Sequence, residues 1–132
     1  MNTFLFEYDR VNKILLTRIA GRFTDQLLKE CEQETRKHLG VTGASAHVVD
    51  CSAITEYAVS SEFVRHMAEA EPVLPSPNRG QFFVVPSAVG FGLARMFQIH
   101  GEPQHAQVTV VRTLDEAFKA LGLEDPRFEP LD

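Results

Sequence analysis

Ser60, His66 and Asp50 are the residue types of a nucleophile, a base and an orienting carboxylate, and on paper they make a catalytic triad. A nucleophilic serine of that kind sits on a strained Gly-x-Ser-x-Gly turn. Here the surroundings read Val59-Ser60-Ser61-Glu62. Each of the three residues also has an ordinary role, and hydrolysis is not the expected reading. The histidines His38, His47, His66, His100 and His105 form neither His-x-His nor His-Glu-x-x-His, so no metal ligation is expected. Cys31 and Cys51 share no metal-binding or redox spacing, and Cys51, closing an apolar run, reads as an inert core thiol. Reduced thiols and a cytoplasmic location are the expectation. No catalytic residue, metal or cofactor is anticipated, and the chain reads as a non-enzyme.

A second constellation, Ser87, Gly90, Gly92 and Arg95, follows directly on the apolar run Gln81 to Val85. Ligands of open α/β sheets bind beyond the C-terminal ends of strands, and a serine, free N–H groups and an arginine suit a carboxylate or phosphate. The spacing is not that of a phosphate-binding loop, and close packing is the favoured reading over an anion site, since Gly90 and Ala94 lie one helical turn apart. Mid-helix glycines each cost about 1 kcal/mol, so two of them need a reason. Arg95 stands among Val89, Phe91, Leu93, Met96, Phe97 and Ile99, a helix apolar almost all round. The expected explanation is an ion pair with Asp50; contact with a ligand or partner is the alternative.

The chain has 132 residues, enough for one domain over 1–132 whose core needs no staples. It is 44% hydrophobic and 23% charged, which excludes disorder, and its net charge of -5 argues against nucleic acid as a partner. Phe82 to Ala94, the longest nearly apolar stretch, is broken by Pro86 and Ser87 and falls short of the roughly 18 residues of a transmembrane segment. The first residues lack the basic start and apolar core of a signal peptide.

The elements that must position these residues can be read from periodicity. Thr3 to Tyr8 alternates, Asp9 to Asn12 has turn chemistry, and Lys13 to Ala20 returns as a second strand ended by Gly21. The period then changes to 3.6. Thr24 caps a helix with an inward stripe of Leu28, Cys31, Thr35 and Leu39, stapled by Phe23 and closed by Gly40. Ala46 to Asp50 is a buried strand, and a loop from Cys51 to Val59 leads to a helix with Phe63, Val64, Met67 and Ala68 on one face. Glu71-Pro72 stops that helix, and Val73 to Arg79 is a proline-containing surface connection. Gln81 to Val85 is a strand, Ser87 caps a helix to His100, and Gln107 to Arg112 is the last strand. Thr113 to Glu116 is a capping box opening a helix with Leu114, Ala117, Phe118 and Leu121 inward, ended by Gly122. The acidic, proline-containing tail 125–132 is expected on the surface. The order is β-β-α-β-α-β-α-β-α: an α/β fold with a mixed, mostly parallel five-stranded sheet and four main helices.

That order, with Val48-Val49-Asp50-Cys51-Ser52-Ala53-Ile54-Thr55 and with Ser60-Ser61 at a helix start, resembles the STAS domain of the sporulation anti-sigma-factor antagonist. The stretch Phe91 to Gln98 is similar to the SpoIIAA-like branch of uncharacterised bacterial proteins. The resemblance implies a SpoIIAA/STAS-like fold over nearly the whole chain. It also implies a non-enzymatic regulatory or protein-interaction module, with Ser60 or Ser61 as a phosphorylation or partner-docking position beside Asp50 and Ser52. Val59 and Glu62 replace the Asp and Gly of the regulatory pattern, so Ser60 reads first as a plain N-cap worth about 1 kcal/mol and only second as a phosphorylation site. An unidentified protein partner and a homodimer that buries the Phe91 to Phe97 helix or an exposed sheet face are expected. The related CRAL-TRIO-type domains enclose lipids between helices and sheet. The alternative is therefore a small apolar or anionic, lipid-like ligand over Phe63, Met67, Phe91 and Phe97, with Pro72 to Arg79 as a lid. In either reading Asp50, Ser60 and Ser87 are expected on one common rim.

Overall fold

The computed structural model describes residues 3–75, 77–102 and 107–131. His105, Ser76 of the proline-containing connection and Asp132 of the tail lie outside them. In chain order the elements are β1 (Thr3–Asp9), β2 (Ile14–Thr24), α1 (Asp25–Thr42), β3 (Ala46–Ala58) and α2 (Ser61–Glu69). They continue as β4 (Gln81–Val84), α3 (Ala88–His100), β5 (Val108–Val111), α4 (Leu114–Ala120) and β6 (Glu129–Pro130). The strands form one sheet in the order β5-β4-β3-β2-β1-β6, parallel from β2 to β5 and antiparallel at β1 and β6. The α/β class and the mostly parallel sheet are as expected.

The sheet has six strands rather than five because the tail does not lie free. Glu129 and Pro130 pair with Tyr8 and Glu7, and the Leu131 N–H donates to the Phe6 carbonyl at 2.9 Å. A strand of two residues containing proline gives no periodic signal, but it suits a sheet edge, where a missing N–H costs no ladder bond.

Three boundaries move for physical reasons. Gly21 does not end β2; it takes φ +88° inside the strand, which runs on to Thr24. α1 passes through Gly40 and closes at Gly43, which adopts φ +67° and donates its N–H to the Leu39 carbonyl. Leu27 rather than Leu28 fills the buried stripe with Cys31, Thr35 and Leu39, while Leu28 packs at its margin. The segment Cys51 to Ala58 is strand, not loop. Two register shifts against β2 each place an extra residue on β3, so that Cys51, Ile54 and Tyr57 lean to one side at intervals of three.

Strand alternation divides the core in two. One face carries Leu15 and Ile19 from β2, Val49 and Cys51 from β3 and Phe83 from β4, packed under α1 and α3 with α2 laid against α3. The other carries Ile14, Leu16, Ala46, Val48, Phe82 and Val84 beneath Leu114 and Ala117 of α4, its cap Leu121, and Leu123 and Phe128 beyond it.

Candidate functional site

Between the first sheet face and helices α1, α2 and α3 lies a cavity of about 150 Å³. Its floor is Ile19 and Phe23 of β2, His47, Val49, Cys51 and Tyr57 of β3, and Gln81 and Phe83 of β4. Leu28, Cys31 and Thr35 wall it from α1, Val64 and Met67 from α2, and Leu93, Ala94 and Phe97 from α3. The mouth lies where Glu32 and Arg36 of α1 face Ala70, Glu71 and Val73 of the following connection. The wall is apolar because the three parallel strands are buried on both faces and therefore carry continuous apolar runs.

The polar groups in that wall are spent on one another. Buried His47 spans three strands: its Nδ1 accepts from Gln81 Nε2 at 3.1 Å, which leaves its proton on Nε2 to donate to Thr17 Oγ1 at 2.8 Å. Burial pushes the ring's pKa down to about 3, so it is neutral at pH 7. Burial also pushes the Cys31 thiol up to about 12, despite a hydrogen bond with Thr35, and pushes Cys51 up as well, with the Asp50 charge adding to it. Both thiols are protonated and inert. The Tyr57 phenol is raised by burial and by its neighbour Cys51; the Ser87 hydroxyl pulls the other way without completing a hydrogen bond.

At the mouth, Arg36 donates from Nη2 to the Glu71 carbonyl at 2.6 Å and from Nη1 to the Pro72 carbonyl at 3.5 Å, while its Nε is held by Glu32. Beyond this clasp Leu74 is buried in the core, and Arg79 ties the far end of the connection to Ser45 and Asn12. The anticipated lid is therefore a strap against α1. Of the anticipated lining, Met67 and Phe97 face the cavity. Phe63 and Phe91 do not: Phe63 lies beside the His66 ring, and Phe91 carries the Arg112 guanidinium 3.9 Å above its ring centre.

The remaining candidates separate. Asp50 alternates to the opposite sheet face, where Arg18 Nη1 donates to its carboxylate at 3.0 Å and the Ser52 hydroxyl does so at 2.6 Å. Level with Val84 at the end of β4, it stands on the sheet face away from the cavity, and it pairs with Arg18, not Arg95. Arg95 is exposed and donates to Gln98 Oε1 at 2.7 Å. Ser60 caps α2 through the Phe63 N–H at 3.1 Å, and its own hydroxyl donates to Asp25 at 3.1 Å, joining the starts of α1 and α2. Ser61 is the first residue of α2. None of the hydrogen bonds of Asp50 or Ser60 runs to His66.

Ser87 caps α3 through the Gly90 N–H at 3.1 Å, and Arg95 lies eight residues on, about 12 Å along the helix. Ser87, Gly90, Gly92 and Arg95 thus form no single anion site. Gly90 answers to packing: a Cβ there would meet the Tyr57 ring at 2.4 Å and Val85 at 2.5 Å, whereas at Gly92 it would meet open space. α3 is not sealed all round either, since Val89 is 65% and Ile99 61% exposed.

His47, Gln81 and Arg36 are the residues that sequence reasoning missed. A lone histidine opening an apolar run, Ala46-His47-Val48-Val49, was the one available signal. Among the described residues no group of His, Cys, Asp and Glu could hold a metal, and no helix is long and apolar enough to cross a membrane. No protein-family model and no curated protein matches the chain.

Proposed function

We propose that this chain is a non-enzymatic binding module that takes a small apolar ligand into the cavity between its sheet and helices α1 to α3. The observation that supports this reading is the cavity itself: about 150 Å³ of apolar-walled space in a core that would otherwise close. Protein interiors pack to crystal density, and a void of that size forfeits the contacts of its lining unless something fills it. The inert thiols and the neutral, doubly bonded histidine favour holding over reacting. Xenon in solution tests the site. Its titration should move the methyl resonances of Val49, Val64 and Leu93 and leave those of Ile14 and Val84, on the other sheet face, in place. Unmoved resonances, together with no co-purifying ligand in native mass spectrometry, overturn the reading.

A second reading, a STAS-like interaction module that meets a second copy of itself, is favoured by Val89 and Ile99, both exposed on α3. Sedimentation at high concentration should give a dimer that Val89→Asp with Ile99→Asp abolishes. A species of 14.8 kDa throughout overturns it.

A further inference from the structure

We infer that the ligand of the cavity is an uncharged molecule of about six to eight carbons with no hydrogen-bonding group, a benzene- or toluene-like hydrocarbon or its halogenated counterpart; this rests on the binding reading above. Size sets the first bound. Cavities near 150 Å³ accept benzene or xenon, so the accessible volume here matches one ring, and a fatty acyl chain would have to run out through the mouth. Charge sets the second. The titratable groups of the floor and walls are neutral, and the charged pair Glu32 and Arg36 stands at the mouth, paired to itself and to the strap. Neither a carboxylate nor an ammonium group would find a counter-charge inside, and an unpaired buried charge is strongly disfavoured.

Hydrogen bonding sets the third bound. Both His47 nitrogens are engaged, one of the two Gln81 amide N–H groups is spent on His47, and among the described residues the Tyr57 hydroxyl is the one fully buried side-chain N or O atom without a partner. That hydroxyl is wedged against Gly90 and buried away from water, so Tyr57 offers the cavity its ring and not its oxygen. A ligand hydroxyl would thus give up its water for at most one bond, to the Gln81 amide oxygen.

Calorimetric titration of the full chain with toluene, phenol and benzoate tests this. Toluene should bind at least about tenfold more tightly than phenol, and benzoate should not bind. Gln81→Leu releases His47 Nδ1 as an acceptor facing the cavity and should bring phenol to within about threefold of toluene. Ala94→Leu should fill the space and abolish toluene binding; should that variant misfold, Leu93→Phe serves in its place. Phenol or benzoate binding the parent chain as tightly as toluene overturns the ligand class and leaves the site standing. Failure of all three to bind the folded chain overturns the class and the site together. Toluene binding unchanged in a folded cavity-filled variant places the ligand elsewhere and overturns both.

Discussion

The Arg127 backbone N–H donates to Asp9 Oδ2 at 2.9 Å across 118 positions of sequence, so the end of the chain is fastened to its first turn. The same buried carboxylate accepts from the Val11 N–H at 3.0 Å, the Asn12 N–H at 2.9 Å and Asn12 Nδ2 at 2.8 Å. Burial alone would raise its pKa. The side-chain and backbone bonds from Asn12, and those from Arg127 and Val11, outweigh it and hold the carboxyl below its ordinary value.

Asp9→Ala leaves four donors without their acceptor and should cost on the order of 2–3 kcal/mol at pH 7. Because the folded pKa is depressed, the ionised carboxylate stabilises the fold above the ordinary aspartate value of about 3.9. That contribution fades as pH falls through the lower, folded value. Urea denaturation at pH 7 and at pH 3 should therefore show the gap between parent and Asp9→Asn narrowing with acid. A gap that stays constant or widens removes the charge from the explanation.

What the sequence made legible follows from which signals are local. The capping box of Thr113 and Glu116, the Ser60 and Ser87 caps and the alternation of Phe4, Phe6 and Tyr8 each need only neighbouring residues, and each is present. The upper half of β3 was unreadable because its two register shifts turn a period of two into the spacing Cys51, Ile54, Tyr57, which looks like neither strand nor helix. The partner of Asp50 was misassigned because Arg18 lies 32 residues away and meets it only through parallel register. The cavity was legible as an idea, from apolar strands under amphipathic helices, but half its anticipated lining was wrong. Phe63 and Phe91 are apolar by composition, and only the rotation of their helices decides which way they face.

His47 makes a second pH signature, of opposite chemistry and similar direction. Its ring is buried neutral, with the folded pKa pushed down to about 3 against an ordinary value of about 6.5. The unfolded chain therefore takes up a proton between those limits while the folded chain does not. Stability should be unaffected by this residue above about pH 6.5 and fall by roughly 1.4 kcal/mol per pH unit on acidification below it. His47→Gln should flatten that slope between pH 6.5 and 4.5. An equal slope in parent and variant shows that His47 is not the residue responsible.

The two glycines of α3 should respond in opposite directions. Gly90→Ala drives a methyl into the Tyr57 ring and Val85, which overpacks the cavity wall and should cost about 1–3 kcal/mol. Gly92→Ala meets nothing within 4 Å on an exposed helical turn and should stabilise by about 0.5–1 kcal/mol. Thermal unfolding of both variants decides the matter. The reverse assignment of the two effects would show that Gly92, not Gly90, faces Tyr57 and Val85.

Arg36 closes the mouth of the cavity without forming its floor, so its loss should alter how fast a ligand passes more than how tightly it is held. Its guanidinium binds the Glu71 and Pro72 carbonyls and draws on Glu32, while its stem lies along α1. Arg36→Met keeps most of that stem and removes the clasp. An exposed charge-assisted contact of this kind is worth about 1 kcal/mol, which corresponds to roughly a fivefold increase in the open population of the strap. Association and dissociation of toluene, read from NMR line shapes, should both rise by about that factor. Kd should stay within about twofold of the parent, because the contacts inside the cavity are unchanged. A Kd that weakens tenfold through dissociation alone would make Arg36 a ligand contact instead of a latch, and would move the binding site outward to the mouth.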